Sequence, residues 1–253
     1  MLGWGVGFGL IALLNIIAVP DASGMQATAE AISKMPTFVV QMVGGGDLAF
    51  LASPAGFLNN QYFAMILVFF GVYAIIMGLN ITANEEDKRI IDVLLSAPVP
   101  RWRVVVEKMI AYGVLAAGVL AISTVGIFLS LRTVPKVQIA PWIVLDASLY
   151  ILPGTLVMIA FTAFVGTVVR RRARAMAIAV VFLIVSWFID IMGRTVTTSF
   201  INKLRVISFY AYYDTAGVMR HGVSAVDLVV PLVAATLLAA GAVWSFQRRN
   251  ISV

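Results

Sequence analysis

Residues Asn84 to Lys108 read NEEDKRIIDVLLSAPVPRWRVVVEK. This stretch lies between two long apolar runs, and nowhere else is charge of both signs concentrated: five acids (Glu85, Glu86, Asp87, Asp92, Glu107) against five bases (Lys88, Arg89, Arg101, Arg103, Lys108). Asn84 is placed to cap a helix whose first turn carries three acids, the sign that suits the positive end of the helix dipole. Ile90, Ile91, Leu94 and Leu95 follow at near-helical spacing and give one narrow apolar face. Pro98 and Pro100 then end the helix, because proline lacks the N–H and its ring clashes with the preceding turn. A short amphipathic helix held between two apolar runs is either a docking surface or a well-capped loop.

Whether those apolar runs are membrane spans follows from the totals. Of 253 residues, 61% are hydrophobic and 12% charged, about half the charged share of a typical soluble domain. No polar stretch is long enough for a soluble domain, so the chain reads as one all-α polytopic membrane domain over 1–253. The net charge of +6 is then a topology signal, and nucleic acid is not an expected partner. With no cysteine and a single histidine, His221, thiol chemistry and cysteine or histidine metal centres are not expected.

Working outward, six spans are predicted at 2–19, 62–81, 109–131, 142–169, 175–192 and 228–246. The first is read as a span and not as a signal peptide, because no Lys or Arg precedes it and Pro20 is a poor cleavage neighbour. Pro153-Gly154 predicts a kink in the fourth. Sections 21–61 and 194–227 are expected on the outer side as amphipathic helices after spans 1 and 5. In the first, Met25–Lys34 is predicted helical up to Pro36, with a second short piece over Thr37–Val43. In the second, the aromatics around Phe209–Tyr213 suit the headgroup layer. Placing the hub, the Arg170–Arg174 turn and the tail on one side gathers 11 Lys and Arg there against 5 Asp and Glu, and leaves 7 of each on the other. Basic residues near span ends mark the cytoplasm, so both termini and the hub are predicted cytoplasmic. The arginine turn also suits anionic lipid headgroups.

Chemistry is sparse. There is no G-x-x-x-x-G-K-[ST], so the chain carries no ATP-binding P-loop of its own, and no H-E-x-x-H. Asp146 and Asp190 fall within predicted spans, where carboxylates are functional candidates by default. With Asp214 they support one alternative, an ion-coupled carrier or membrane enzyme. Arg194 stands at i+4 from Asp190 and offers local pairing instead.

At the hub the sequence resembles the permease subunit of ABC-2-type exporters. That family has an acidic pair after the second span, a short leucine-rich helix, a proline-containing turn with a basic residue, and a lysine entering the third span. Here those positions read Glu85-Glu86-Asp87, Asp92-Val93-Leu94-Leu95, Pro98-Val99-Pro100-Arg101 and Lys108. The six-span layout is similar too. The resemblance implies a non-catalytic subunit with no cofactor of its own, a second permease as homodimer or heterodimer partner, and two separate ATPase subunits that hold ATP and Mg. It also implies a prokaryotic plasma-membrane location and a hub that acts as coupling helix. Its contact residues would be Glu85, Glu86, Asp87, Arg89, Ile91, Asp92, Leu94, Leu95, Pro98 and Arg101. Members usually have a glycine after the acidic run, where this chain has Lys88-Arg89-Ile90. They also begin with an amphipathic elbow helix before the first span, so an upstream segment or a different start is expected. A membrane scaffold driven by an ATPase without transport fits the same residues. The spans hold few charges, which leans the expected cargo toward amphiphilic or hydrophobic molecules.

Overall fold

A computed structural model of the chain describes residues 2–36, 39–40, 47–87, 100–134, 138–169, 171–195 and 200–248. Among them there is no strand. The helices, in chain order, are α1 (Leu2–Ile17), α2 (Ala22–Ser33), α3 (Leu48–Leu51), α4 (Pro54–Leu79, with a π-helical segment at Asn59–Phe63), α5 (Ala83–Asp87), α6 (Arg101–Thr133), α7 (Pro141–Leu149), α8 (Ile151–Val168), α9 (Arg172–Thr195), α10 (Phe200–Leu204), α11 (Thr215–His221) and α12 (Ala225–Arg248).

Five segments are long and apolar enough to cross a membrane: α4, α6, α7 with α8, α9, and α12. The first predicted span is shorter. The 16 residues of α1 rise about 24 Å at about 1.5 Å per residue, against a hydrocarbon core of about 30 Å. At the other extreme, α6 has 33 residues and rises about 50 Å, so it must project beyond the bilayer.

The core is built around α8. Thirteen of its 18 residues are buried, and it packs most extensively on α12 and α4; a helix apolar on all sides belongs inside its bundle. Gly78 lets α4 approach it closely: a Cβ there would lie 2.6 Å from the Thr162 Cβ and 2.9 Å from the Ile159 carbonyl oxygen. α1 packs along α6, where Phe8, Ala12 and Ile16 are buried while Leu2, Val6, Leu10 and Leu14 are exposed on its other face. α9 and α12 leave most of their apolar surface exposed, as lipid-facing helices do.

Several boundaries differ from expectation. The second span starts at Pro54, not Tyr62: Ser53 caps it by accepting from the Gly56 N–H, with proline in its first turn. The fourth span breaks at Tyr150, between α7 and α8, and not at Pro153-Gly154. The offset is what proline predicts, since Pro153 removes the N–H that would bond to Leu149 and its ring crowds that turn. The third span starts at Arg101 instead of Met109, the fifth at Arg172, and the sixth at Ala225. The predicted Met25–Lys34 helix forms as Ala22–Ser33; most of the Thr37–Val43 piece lies outside the described residues.

Candidate functional site

The two ends of the bundle differ in construction. At the hub end, α4 finishes at Leu79 and the chain turns through Asn80–Thr82 into α5. Ile81, Thr82 and Ala83 are fully or nearly fully buried, and α5 packs against the ends of α8 and α9. Gly166 of α8 makes room, since a Cβ on it would lie 3.0 Å from Thr82 Oγ1. The start of the hub is thus wedged against the fourth and fifth spans. Asn84 does not cap this helix: it is the second residue of α5, and its amide donates to the Asn80 side-chain oxygen.

Of the predicted contact residues, Asp87 ends α5 and is exposed. It lines a cleft of about 470 Å³ with Arg171, Arg172, Ala173 and Met176, so the last acid of the first hub turn shares one surface with the arginine turn. Glu85 and Glu86 lie in α5. Arg101 opens α6 behind an extended Pro100. Arg103 and Glu107 form an exposed i,i+4 pair at 2.6 Å on the projecting part of α6. Arg89, Ile91, Asp92, Leu94, Leu95 and Pro98 lie outside the described residues.

At the opposite end, residues 205–224 are fastened to α4 and α9, to Tyr150 between α7 and α8, and to Asp47 ahead of α3. Asp190, only 5% exposed, accepts from Arg194 Nε at 2.8 Å and from Arg205 Nε at 2.7 Å. Arg194 also reaches Asp214 at 3.5 Å, and Asp214 caps α11 by accepting from the Gly217 N–H. Ser208 Oγ donates to the Ser186 carbonyl at 2.6 Å. Tyr213 Oη donates to the Phe63 carbonyl at 2.7 Å, and Thr215 Oγ1 to Asn59 Oδ1 at 2.6 Å; both acceptors belong to the π-helical segment of α4. Tyr150 Oη accepts from the Ser224 N–H at 2.6 Å and lies 2.9 Å from the Ser224 carbonyl. Arg220 pairs with Asp47 at 3.2 Å, and the hydrogen bond from the Phe50 N–H, supported by Arg220, holds the Asp47 carboxyl below its ordinary range.

Phe209, Tyr210 and Tyr213 are buried in this cap and do not face headgroups as expected; Phe209 stacks on Phe182 of α9 at 5.7 Å. Burial raises the Tyr213 phenol well above its usual value, with Tyr62 and Tyr210 adding. Burial likewise raises Tyr210, with the Asp190 charge second. Among the described residues between α9 and α12, the surface-facing large apolar ones are instead Phe200, Val206, Ile207 and Val223.

Of the three candidate carboxylates, Asp190 and Asp214 therefore meet on Arg194, and Asp146 is not part of that cluster. Asp190 and Asp214 are held in ion pairs and a helix cap. Asp146 is half-buried on α7. Among the described residues no group of three or more acids and histidines is placed to hold a metal.

A family model described as ABC-2 family transporter protein matches residues 4–251. The chain belongs to that family. It is an integral membrane protein and the permease part of an ABC transporter, a subunit type that transports and is generally not catalytic, and the family works with ABC ATPases. Comparison with curated proteins gives no match. In the permease, the start of the hub is wedged against the bundle at one end and the cap is fastened to it at the other. Arg205, Asn59 and Tyr150 were not singled out by sequence, because each matters through a partner 15, 156 or 74 positions away.

Proposed function

We propose that the permease is the membrane half of an ATP-driven exporter, with residues 84–101 as the segment on which its ATPases act. Six spans with both termini and the hub in the cytoplasm, two copies of the permease and two ATPases complete the assembly. The observation that carries the reading is α5: this first helix of the hub packs against the ends of α8 and α9, and the Ile81–Ala83 turn that leads into it is buried, so force applied to the hub has a packed route into the fourth and fifth spans. The apolar face Ile90, Ile91, Leu94 and Leu95, ringed by charge, has the composition of a helix that fills a partner's groove.

The cargo is amphiphilic or hydrophobic. Asp190 is the one charged residue in the buried set among those described, and it sits at the outer end, neutralised by two arginines. A strongly hydrated ion would cross the rest of the bundle without a compensating charge.

A photoreactive amino acid in place of Leu94 tests the reading in the assembled transporter. Crosslinking to the ATPase is expected, with the same amino acid at Ile207 giving none. Crosslinking at Ile207 and not at Leu94 would overturn the topology and the coupling role together.

A further inference from the structure

The outer halves of the third and fourth spans do not close against each other. A groove of about 740 Å³ runs between them, lined by Val125, Phe128, Leu129 and Leu131 of α6, by Arg132, and by the Gln138–Pro141 approach to α7. A second cavity of about 330 Å³ continues it inward past Leu120, Ala117 and Leu152. The two share Val125 and Phe128, so they adjoin and lie in line as a slot. From Arg132 to Ala117 it descends about 22 Å at about 1.5 Å per residue, more than the roughly 15 Å of one leaflet of a bilayer core.

The slot is graded in polarity. Its walls are apolar, while its outer mouth carries Arg132 and Gln138, both exposed. Arg132 forms no ion pair among the described residues. Trp142, 59% exposed, stands one residue beyond the mouth, at the level where tryptophan marks the membrane–water boundary. Deeper in, Ser148 is 2% exposed and lines the inner cavity, and its hydroxyl has no hydrogen-bond partner among the described residues.

The geometry points to a binding site for a membrane phospholipid with an anionic headgroup, its acyl chain in the Val125–Phe128 slot and its headgroup phosphate on Arg132 and Gln138. Charge complementarity selects the occupant. A neutral hydrocarbon would fill the walls and leave the cation unmatched, and a soluble anion would leave the apolar walls unmatched. Inside, the Thr124 hydroxyl donates to the Leu120 carbonyl, which leaves the Ser148 hydroxyl as the polar group with an unused donor. The site requires only that the bundle is embedded in a bilayer, and is independent of what the permease carries.

Purified full-length permease, exchanged into detergent with equimolar palmitoyl-oleoyl phosphatidylglycerol and phosphatidylcholine, tests this by native mass spectrometry of the retained lipid. Wild type is expected to retain phosphatidylglycerol about fivefold over phosphatidylcholine, the size of one basic residue's attraction at a membrane surface. Arg132→Gln removes the preference, and Val125→Trp, a change at a 55% exposed position, displaces both lipids. Equal retention by wild type, a preference that survives Arg132→Gln, or phosphatidylglycerol retained at the wild-type level by Val125→Trp would each overturn the site. The wild-type comparison decides by itself should either variant fail to fold.

Discussion

Gly9 and Gly126 bring α1 and α6 into backbone contact: a Cβ on Gly126 would lie 2.8 Å from the Gly9 Cα. In a bilayer, helices associate by van der Waals packing and not by escape from water, so small residues at a crossing set how closely backbones approach. Gly126→Val is therefore expected to separate α1 from α6, with an overpacking loss of about 1–3 kcal/mol. Gly118 of the same helix has nothing within 4 Å of its virtual Cβ, so Gly118→Ala is expected to be neutral or slightly stabilising. Thermal unfolding of both variants in detergent checks the contrast.

The Asp190 cluster should be the costliest polar feature to break. Its carboxylate is 8% exposed at the side chain and serves two arginines. Asp190→Asn leaves both guanidinium groups short of charge, and a loss of about 3 kcal/mol is expected, the low end for a buried pair because the arginines are partly exposed. Glu107→Gln breaks a pair whose members are 59% and 60% exposed, and less than about 0.5 kcal/mol is expected. Denaturation of the two variants beside wild type tests the order.

Asp47 gives the cap a pH dependence. Its carboxyl is held below the ordinary value by the Phe50 N–H and Arg220. A depressed folded value means that the stabilisation is complete above the unfolded value of about 4 and is lost as pH falls through the folded one. The stability gap between wild type and Asp47→Asn should stay constant above about pH 5 and close on the acid side of about pH 4. A gap that widens with acid would contradict the assignment.

Because the chain has no cysteine, sidedness is open to direct labelling. Ser96→Cys is expected to react only with a reagent that enters the cell, and Ile207→Cys, at a position 75% exposed, with an impermeant reagent from outside. The reverse pattern would invert the topology and remove the hub from the ATPase side.

Much of the fold was legible because lipid enforces long apolar runs, and five of the six predicted spans are long and apolar enough in the structure. What was misread follows from pairings that sequence does not display. Asn59, Asn60 and Gln61 look like loop, yet Asn59 is buried in the π-helical segment because Thr215, 156 positions away, donates to it. Arg103 and Glu107 look like a connector, yet pair along a helix that extends beyond the membrane. Phe209, Tyr210 and Tyr213 look interfacial, yet the Phe63 carbonyl and the Phe182 ring draw them inward. The charge and leucine pattern of the hub was visible at once, since it is local in sequence. Its anchorage was not, since Gly166 and the arginine turn lie about 80 residues downstream.

The ATPase is expected to grip the leucine-faced segment between the second and third spans. Co-purification of the ATPase with permease carrying Leu94→Asp and Leu95→Asp measures it most directly. The variant is expected to remain monodisperse, to lose the ATPase from the complex and to abolish cargo-dependent ATP turnover. A folded double variant that still holds its ATPase at the wild-type ratio would contradict the account.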